Sequence, residues 1–561
     1  MVLLKGNMQL CSTGIQTMRH LAHLPLFIAL LLLGCTRNPS NIDGQIDSHS
    51  ERQTYGIATD SNRNGVLDDH PEDSRVWSWS GQGAFILPNL DDDNHDGEID
   101  CHDTEVNGSQ DAKDLAFIRV QFDPEKQNDD APVRLNLNFN SDANSRSPVQ
   151  WFLHSEGKYE KLPQSVPLEQ IFSSKRKSVE IALEACAFAS KSWDGFAEVT
   201  IENTSNQTLR RALLRVSPYL MIPNTRPMEK FFVSKDSTGR YGNQRMLFEL
   251  PLSMLLNLVK LHIYNTDVWQ EMWMQDTMEI GYSEIPGSRM HVVLNAPRGS
   301  DRFGKTLLGP DVGFLEVAAP RNSSSEGDSW LDWFGNLEVS PPTSKYPWGR
   351  IYYGYNSNTG NTLHPDVVSF LEAQELQKPI AIDTGWLFIK HVDEIITFWP
   401  RGRNDFIAVV PSIQDASALT GETPNSFNAS IQERLNELTA ETNISRQSIF
   451  EVFGLNKNQV MTVPLFYDEA EHGAIGRWSN PVNSVVVNRT LLFGTTRIPN
   501  TVSDSLREHI KSSRLTPLGV DDGAYQNRLG NVHCGSNSIR SMPNAGFWNF
   551  TESQGVQPPG F

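Results

Sequence analysis

The chain has 561 residues, of which 38% are hydrophobic and 20% charged, so it can bury substantial cores. By length we expect two to four domains. The formal net charge of −19 argues against a nucleic-acid partner, because phosphate binding requires a concentrated basic surface. Five cysteines are too few for a disulfide scaffold. Cys101 and Cys186 either form one bridge or stay as two thiols.

An apolar run at 21–34 follows basic residues and ends at Cys35, which is typical of an export signal. We therefore predict a signal peptide over 1–35. The Leu-x-Gly-Cys ending resembles a bacterial lipoprotein cleavage box, which would make Cys35 a lipidated N-terminus and 36–55 a flexible tether. The alternative is ordinary secretion with Cys35 incidental. Either way we expect an exported protein, secreted or periplasmic, that meets a membrane only through a lipid anchor on Cys35.

Two acidic loops precede the first long strands. They begin at Asp60 and Asp92, and both follow the pattern D-x-[DN]-x-[DN]-G, in which alternate oxygen side chains converge around a glycine turn. Neither loop has flanking helices or a glutamate at position twelve, so an EF-hand is not expected. With Asp111 and Asp114 close in sequence, calcium binding is favoured over a pair of solvated acidic turns.

Apolar residues then alternate with polar ones at 133–139, 179–183 and 197–201. A period of two is typical of half-buried antiparallel strands, and turn-rich gaps separate these segments. We predict a β-sandwich of immunoglobulin type for the calcium-binding middle domain, residues 56–222.

From residue 223 onward the pattern becomes mixed, so the whole chain is predicted to be an α+β multidomain protein. Strand-like runs at 291–295 and 406–410 alternate with helical patterns at 428–441 and 502–513. Residues 223–561 are therefore expected to form a second, mixed α/β domain that carries the chemistry.

Three features of this second region indicate chemistry. Cys534 is either a nucleophile or a small buried apolar residue. On an extended segment, His391 and Asp393 would share one face, as a metal-ligand pair or as an acid/base group beside a carboxylate, unless His391 is simply a core histidine. Asp276 stands among apolar residues and, if buried, needs a cation; otherwise it is a partly exposed acid. From these residues alone we predict a thiol-dependent enzyme.

Four segments in this region resemble the catalytic domain of calcium-dependent protein-arginine deiminases, in the order of that family: WMQDTMEIGY (273–282), FGNLEVSPP (334–342), HVDE (391–394) and VHCGSN (532–537). The resemblance covers about 225–561 and continues through 89–93 and 100–103. It implies a five-bladed α/β-propeller (pentein) built of ββαβ modules. Vertebrate members carry a further N-terminal sandwich domain, for which this chain has no room.

The resemblance also implies roles for individual residues. Asp276 and Asp393 correspond to the carboxylates that grip the substrate guanidinium, and Cys534 to the nucleophile that attacks its carbon. His391 corresponds to the acid that protonates departing ammonia and then activates water, so that the product is citrulline. Trp273 corresponds to the residue that packs along the aliphatic part of the arginine.

The calcium ligands carry over as two groups. Beside the catalytic residues, the resemblance implies the side chains of Gln275, Glu279 and Glu338 and the carbonyls of Phe334 and Leu337. In the middle domain it implies Asn89, Asp91, Asp93, Asp100, Asp103, Asp111 and Asp114, with Asp311 from the catalytic side.

Two departures from the family pattern are visible. The positions for a second active-site calcium have lost their acids, so we expect that site to be lost or weakened; they read Thr277, Asn295, Ala296 and Gly299. Ser300 replaces an arginine that reads the substrate backbone, whereas Arg298 and Arg528 match arginines that line the substrate cleft.

The leading hypothesis is a calcium-dependent enzyme that converts arginine within proteins or peptides to citrulline. Its partners would be arginine-containing polypeptides and calcium ions. A deiminase of free arginine or agmatine, and a non-catalytic calcium-binding surface module, are the alternatives. A two-metal hydrolase is less well supported, because no further histidines lie near His391 and Asp393 in sequence.

Overall fold

A computed structural model describes residues 54–68, 75–79, 81–103, 105–123, 132–141, 147–172, 177–240, 242–299, 302–321, 328–402, 405–440 and 448–549. The predicted signal peptide, Cys35, nearly all of the tether and Ser300 lie outside these residues. Within them, no helix combines the length and the apolar character needed to cross a membrane.

Among its described residues, the first region has ten strands in two five-stranded sheets, with orders β1-β3-β8-β5-β6 and β2-β10-β9-β4-β7. The strands are β1 Tyr55–Ala58, β2 Ala84–Ile86, β3 Ala116–Phe122, β4 Val133–Asn138, β5 Val149–Ser155, β6 Lys158–Lys161, β7 Ser165–Pro167, β8 Ser178–Ala185, β9 Phe196–Asn203 and β10 Thr208–Val216. The neighbouring strands pair antiparallel, except that β2 and β10 are parallel.

Side chains from both sheets meet in one core, which contains the fully buried Ile118, Leu135, Ile181 and Ile201. The predicted period-two strands are thus confirmed as β4, β8 and β9, since each turns its apolar residues to this core. The immunoglobulin type of the sandwich stays a prediction, as does the boundary between 222 and 223.

The second region contains β11 Leu220–Met221, β12 Met228–Asp236, β13 Lys260–Thr266, β14 Met278–Ile285, β15 Ser288–Asn295, β16 Val312–Leu315, β17 Leu337–Val339, β18 Ile351–Tyr355, β19 Ile380–Asp383, β20 Thr397–Pro400, β21 Phe406–Ser412, β22 Val460–Pro464, β23 Tyr467–Ala470, β24 Gly473–Gly476, β25 Val485–Val487, β26 Thr490–Gly494, β27 Thr516–Val520 and β28 Ser536–Arg540. The predicted strands at 291–295 and 406–410 are confirmed as parts of β15 and β21.

One pairing pattern recurs in five of these sheets. A central strand has an antiparallel neighbour on one side and a parallel neighbour on the other, as in β28-β12-β13, β14-β15-β16, β17-β18-β19, β20-β21-β22 and β25-β26-β27. Parallel neighbours require a crossover connection, so helices or helical turns lie between them. The arrangement of these sheets as a five-bladed propeller stays a prediction.

The α-helices of the described chain are α1 Asp100–Asp103, α2 Leu168–Ile171, α3 Gln244–Leu256, α4 Pro365–Ala373, α5 Ile413–Thr420, α6 Ser426–Leu438, α7 Ile449–Phe453, α8 Asn500–Ser512 and α9 Gly523–Gln526. The predicted helical patterns are confirmed as α6 and α8, with slightly earlier ends. In the first region, Cys101 and Cys186 are thiols rather than a disulfide, and Cys186 Sγ lies 3.3 Å from the Cys101 carbonyl oxygen.

Glu375, just after α4, joins the two regions, which belong to one compact unit (Asp47–Phe561). One of its oxygens accepts from Arg215 at 2.7 Å and the other from Trp79 Nε1 at 2.8 Å. The Arg215 side chain is buried, with its guanidinium carbon 4.6 Å from the ring centre of Trp79 and 4.9 Å from that of Phe196. Glu375 is therefore the carboxylate that neutralises a buried cation.

Replacing Glu375 by alanine should lower the free energy of unfolding by about 2 kcal/mol, because Arg215 would keep its charge without that partner. Urea denaturation followed by tryptophan fluorescence measures the effect. Glu372→Ala, an exposed acid on α4, is the matched control and should change stability far less. Equal stabilities for the two variants would contradict this role of Glu375.

Candidate active site

Asp276 lies in a 3₁₀ turn, Gln275–Thr277, directly before β14, and is buried. Its Oδ1 accepts a hydrogen bond from the Gly335 backbone N–H at 3.2 Å. The turn is tied to the C-terminal segment, because the Gln275 N–H donates to the Cys534 carbonyl at 3.2 Å. Burial raises the pKa of Asp276, and the nearby His391 opposes that rise. Asp276 is thus a buried acid rather than a partly exposed one, and its need for a cation stays a prediction.

Gly335 allows Asp276 and His391 to come together. It belongs to the turn Phe334–Asn336, and a Cβ atom on it would lie 2.6 Å from His391 Nδ1 and 2.7 Å from Asp276 Oδ1. Contacts of this length do not occur for real Cβ atoms, so any other residue must displace one of the two side chains. The sequence did not identify Gly335 as a site residue, although it lies within the quoted FGN motif.

His391 is buried and has two distinct ring nitrogens. Nε2 lies 2.8 Å from the Trp330 carbonyl oxygen, and because a carbonyl can only accept, Nε2 must carry a proton and donate. Among the described residues, Nδ1 has no hydrogen-bond partner, and Asp276 Oδ1 lies 3.5 Å from it. Nδ1 is therefore the nitrogen that is available to a substrate.

The expected extended segment at His391 and Asp393 is wrong. Val392–Glu394 form a 3₁₀ turn, with the Ile395 N–H donating to the Val392 carbonyl at 3.1 Å. The two side chains still reach one site, but through a turn rather than through the alternation of a strand.

Cys534 and Asp393 are in contact, with Sγ 3.6 Å from Asp393 Oδ2. The same Oδ2 also accepts from Asn483 Nδ2 at 2.8 Å and lies 2.9 Å from His533 Nδ1. Asp393 Oδ1 has no hydrogen-bond partner within the described chain. Burial raises the pKa of the Cys534 thiol well above its usual value, and the charges of Asp393, Asp276 and Glu394 add to that rise. A cationic ligand at this point would oppose both effects.

The predicted active-site calcium ligands lie beside this group. Glu279 and Glu338, together with Gln275, line a small pocket that also includes His533 and Arg540. Burial raises the pKa of Glu338 to about 7 and that of Glu279 well above its usual value.

One buried acid (Glu338) beside a half-buried one (Glu279) suits a hard cation, and Glu338 Oε1 has no hydrogen-bond partner in the described part of the chain. The Gln275 amide nitrogen donates to Glu279 at 3.0 Å and lies 3.5 Å from the Phe334 carbonyl. A metal contact through Gln275 Oε1 would therefore require this amide to turn over. No contact here tests the predicted Leu337 carbonyl.

His533 links the two groups, which the sequence analysis did not foresee. Its Nδ1 lies 2.9 Å from Asp393 Oδ2 and its Nε2 lies 3.4 Å from Glu338 Oε1. One imidazole thus lies between Asp393 and Glu338, and it immediately precedes Cys534 in sequence.

The middle-domain ligands form a second carboxylate cluster. Asp91, Asp93 and Asp100 each offer an oxygen within 4.8 Å of the others. Burial, followed by the charge of Asp114, raises the pKa of Asp91 to about 9. Among the described residues, the oxygens without hydrogen-bond partners include Asn89 Oδ1, Asp91 Oδ1 and Asp93 Oδ2. This all-oxygen donor set fits a calcium ion.

The other predicted members surround this cluster. The Asp311 N–H, from the catalytic side, donates to Asp91 Oδ2 at 2.9 Å. Asp111 accepts from Asn89 at 2.9 Å, and Asp114 accepts from Ser288. Glu184, a fully buried acid on β8 that no sequence pattern indicated, also accepts from Asn89, at 3.0 Å.

Asp103 at the end of α1 accepts from the Glu105 N–H at 2.8 Å, and its place in a metal site stays a prediction. The two acidic loops fold alike: Asp60 and Asp92 each accept the N–H groups found four and five residues later, at 2.9–3.1 Å. Calcium binding by these two loops also stays a prediction.

The predicted substrate residues lie in three different environments. Trp273 is buried, edge-on to Trp269 and Tyr525. The Arg298 guanidinium carbon lies 4.7 Å from the ring centre of Trp333, and its Nη2 donates to the Gln270 carbonyl at 2.9 Å. The Arg528 Nη1 donates to the Ala524 carbonyl at 2.8 Å.

At the positions of the predicted missing calcium, Asn295 Oδ1 has no hydrogen-bond partner among the described residues. The Thr277 hydroxyl donates to the Met274 carbonyl at 2.8 Å, and the Asn295 amide donates to Glu316 at 3.0 Å. Ala296 and Gly299 offer no side-chain ligand. The weakness of this second site nevertheless stays a prediction.

Comparison with known families identifies both regions. The model described as "Protein-arginine deiminase (PAD) middle domain" matches residues 56–204, and the model described as "Protein-arginine deiminase (PAD)" matches residues 208–435. The chain belongs to the protein-arginine deiminase family. This agrees with the resemblance of the four sequence segments; a bacterial type and the lack of a further N-terminal domain stay predictions.

Related proteins match most of the chain. It is 28% identical to protein-arginine deiminase type-4 from Homo sapiens, over 85% of this chain and 80% of that protein. The identity to the human type-1 protein is 26%, over 88% and 82% of the two chains. For the type-3 protein of Mus musculus it is 27%, over 94% and 84%.

Two solved structures show more distant similarity. A C. jejuni agmatine deiminase covers 58% of this chain and 97% of its own, with 11% identity and a TM-score of 0.37. A dimethylarginine dimethylaminohydrolase covers 56% of this chain and 100% of its own, with 12% identity and a TM-score of 0.30.

Replacing Gly335 by alanine should lower the free energy of unfolding by about 1–3 kcal/mol, because the new Cβ overpacks the contact between Asp276 and His391. Urea denaturation measures this change. Gly309→Ala is the matched control, since its Cβ would meet nothing closer than a His95 carbon at 3.9 Å. If both variants were equally stable, Gly335 would not be required for this close approach.

Proposed function

We propose that this protein hydrolyses the guanidinium group of peptidyl-arginine to give citrulline and ammonia. The observation that carries the proposal is the convergence of two buried carboxylates, a thiol and an imidazole nitrogen around one point. Asp393 Oδ1 and His391 Nδ1 have no hydrogen-bond partner among the described residues, so both are available to a ligand. The related proteins named as protein-arginine deiminases support the same reaction.

The charge of this group selects the substrate. Two buried carboxylates are costly unless cations offset their charge, and a planar guanidinium can donate paired N–H groups to each. An ammonium of lysine presents a point charge without that fork, so arginine is the better match. The bound cation also favours the thiolate form of Cys534.

The chemistry then follows from the positions of these atoms. Cys534 Sγ attacks the guanidinium carbon, and protonated His391 gives its Nδ1 proton to the departing nitrogen, which leaves as ammonia. A covalent S-alkylthiouronium remains on Cys534. Neutral His391 then takes a proton from water through Nδ1, the hydroxide adds to the same carbon, and Cys534 departs. Citrulline forms and the thiolate returns.

Calcium fits both oxygen-rich groups. Gln275, Glu279 and Glu338 would hold one ion beside the active site, and Asp91, Asp93 and Asp100 another in the middle domain. When bound, calcium supplies positive charge that offsets these clustered acids. The protein's own contribution is to hold the carboxylates together against their mutual repulsion.

Export and the substrate's form are part of the proposal. The apolar run and Cys35 support secretion with a lipid anchor. Arg298 and Arg528 near the site support contacts with the peptide around the target arginine, which free arginine or agmatine cannot make in full. In the proposed domain organisation, the signal peptide ends at 35, the tether at 55 and the middle domain at 222, and the catalytic domain follows.

Citrulline release from a blocked arginine peptide and from free arginine tests the function. Wild type with calcium should prefer the peptide, whereas Cys534→Ala should lose activity by at least about 10⁴-fold because no other group replaces the nucleophile. Cys186→Ala is the matched control: it removes a thiol of the first region, directly after β8, and should keep activity. Absence of citrulline from both substrates would reject the proposed reaction.

Calcium should raise the thermal unfolding midpoint, because ligand at about 100 times its Kd stabilises a folded protein by about 2.7 kcal/mol. Differential scanning calorimetry in calcium and in chelator measures the shift. Asp93→Asn should reduce the shift, whereas the exposed Glu169→Gln should leave it unchanged. An identical midpoint in calcium and chelator for wild type would argue against both metal sites.

A further inference from the structure

Asn483 is a buried residue that none of the four family-like segments includes. It lies two residues before β25, and its side chain touches both the nucleophile and a guanidinium carboxylate. The Nδ2 atom lies 2.8 Å from Asp393 Oδ2 and 3.2 Å from Cys534 Sγ. The Oδ1 atom accepts the Cys534 backbone N–H at 3.2 Å.

These three contacts determine the orientation of the amide. A backbone N–H can only donate, so the atom that faces Cys534 N must be the oxygen of Asn483. The nitrogen then faces a carboxylate oxygen and a sulfur, both of which accept. Its two N–H groups are sufficient for one bond to each. The backbone adds a further connection, since the Asn483 carbonyl accepts the His533 N–H at 3.4 Å.

The contacts to Asp393 have a consequence for substrate binding. Asn483 and His533 both meet Oδ2, whereas Oδ1 has no hydrogen-bond partner among the described residues. The carboxylate is therefore held from one side and keeps its other oxygen for a ligand. The contact to Cys534 supplies an N–H donor to sulfur at a place where burial and neighbouring carboxylates oppose negative charge.

We propose that Asn483 is the positioning residue that holds Cys534 Sγ and Asp393 in register and donates an N–H group to the attacking sulfur. This inference rests on the proposed deiminase function. In this role the Asn483 amide orients both the Cys534 sulfur for its attack and the Asp393 carboxylate for binding the guanidinium. A residue that only stabilised the loop would do neither.

Asn480 offers the contrast within the same loop. It donates to the Glu394 carbonyl at 2.7 Å and accepts the Val482 N–H at 3.0 Å. Asn480 is buried. No contact among the described residues joins it to Cys534 Sγ or to the Asp393 carboxylate. Asn480→Ala is therefore the matched control for loss of loop bracing alone.

The test compares Asn483→Asp with Asn480→Ala and wild type, as full chains in calcium. Aspartate keeps the shape and the acceptor for Cys534 N but replaces the N–H donors with a second acceptor. Two quantities are measured: citrulline formation, as kcat and KM on a blocked arginine peptide, and the rate at which neutral iodoacetamide alkylates Cys534. Mass spectrometry of the Cys534 peptide separates this alkylation from that of the other cysteines.

We expect Asn483→Asp to lower kcat by about 100-fold, as loss of a hydrogen-bond donor to a reacting anion commonly does. Alkylation of Cys534 should slow by at least about tenfold, because sulfur carries less negative charge without its donor. In Asn480→Ala, a loosened loop should leave the alkylation rate unchanged or raise it. Should Asn483→Asp fail to fold, Asn483→Leu, which has similar size and no polar side-chain atom, replaces it.

Alkylation of Asn483→Asp at or above the wild-type rate would overturn the inference, and so would a loss of kcat no larger than that in Asn480→Ala. The alkylation rate does not depend on deimination. If wild type forms no citrulline, the proposed function fails independently; if wild type is active but the Asn483 variants alkylate normally, the positioning role fails alone.

Discussion

Buried negative charge is the constraint on which the active region depends. Asp276 and Asp393 lie out of water within reach of one thiol, and Glu279 and Glu338 lie close by. Carboxylates in such surroundings are costly unless they are hydrogen-bonded or meet a cation. The fold provides hydrogen bonds to one oxygen of Asp276 and to one of Asp393, and it leaves the remaining attraction for a ligand. Under the proposed function, selectivity for the substrate would follow from charge and from the planarity of guanidinium.

The elements that hold this charge are short turns rather than long helices or strands. Asp276, Gly335 and Asp393 each belong to a 3₁₀ turn, and the turn of Gly335 contacts the other two. Turns can direct backbone N–H groups inward, as the Gly335 N–H does toward Asp276. The sheets around them are the rigid frame, and β14, β17 and β28 begin directly after or near the site residues. The positions of these side chains therefore depend on where β14, β17 and β28 begin.

The same constraint links the two regions of the chain. Asp91 in the first region receives the N–H of Asp311 from the second, and Glu375 in the second region neutralises Arg215 in the first. In each case a charged side chain of the first region is hydrogen-bonded by a residue of the second region. His533 applies the same principle within the active region, where it lies between Asp393 and Glu338. The carboxylate groups are thus coupled by direct contacts.

By itself, the sequence determined three strands of the first region, β4, β8 and β9, because alternation with period two forces one apolar face. It also marked Asp276, His391, Asp393 and Cys534 as candidate site residues through motifs that stay together along the chain, and it indicated that Asp276 needs a cation, since acids among apolar residues are rarely left unpaired. Only the tertiary structure decided that His391 and Asp393 meet through a turn, that Gly335 must lack a side chain, and that Asn483 and His533 both contact Asp393. Those properties depend on distances between segments that are remote in sequence, and neither periodicity nor residue type encodes such distances.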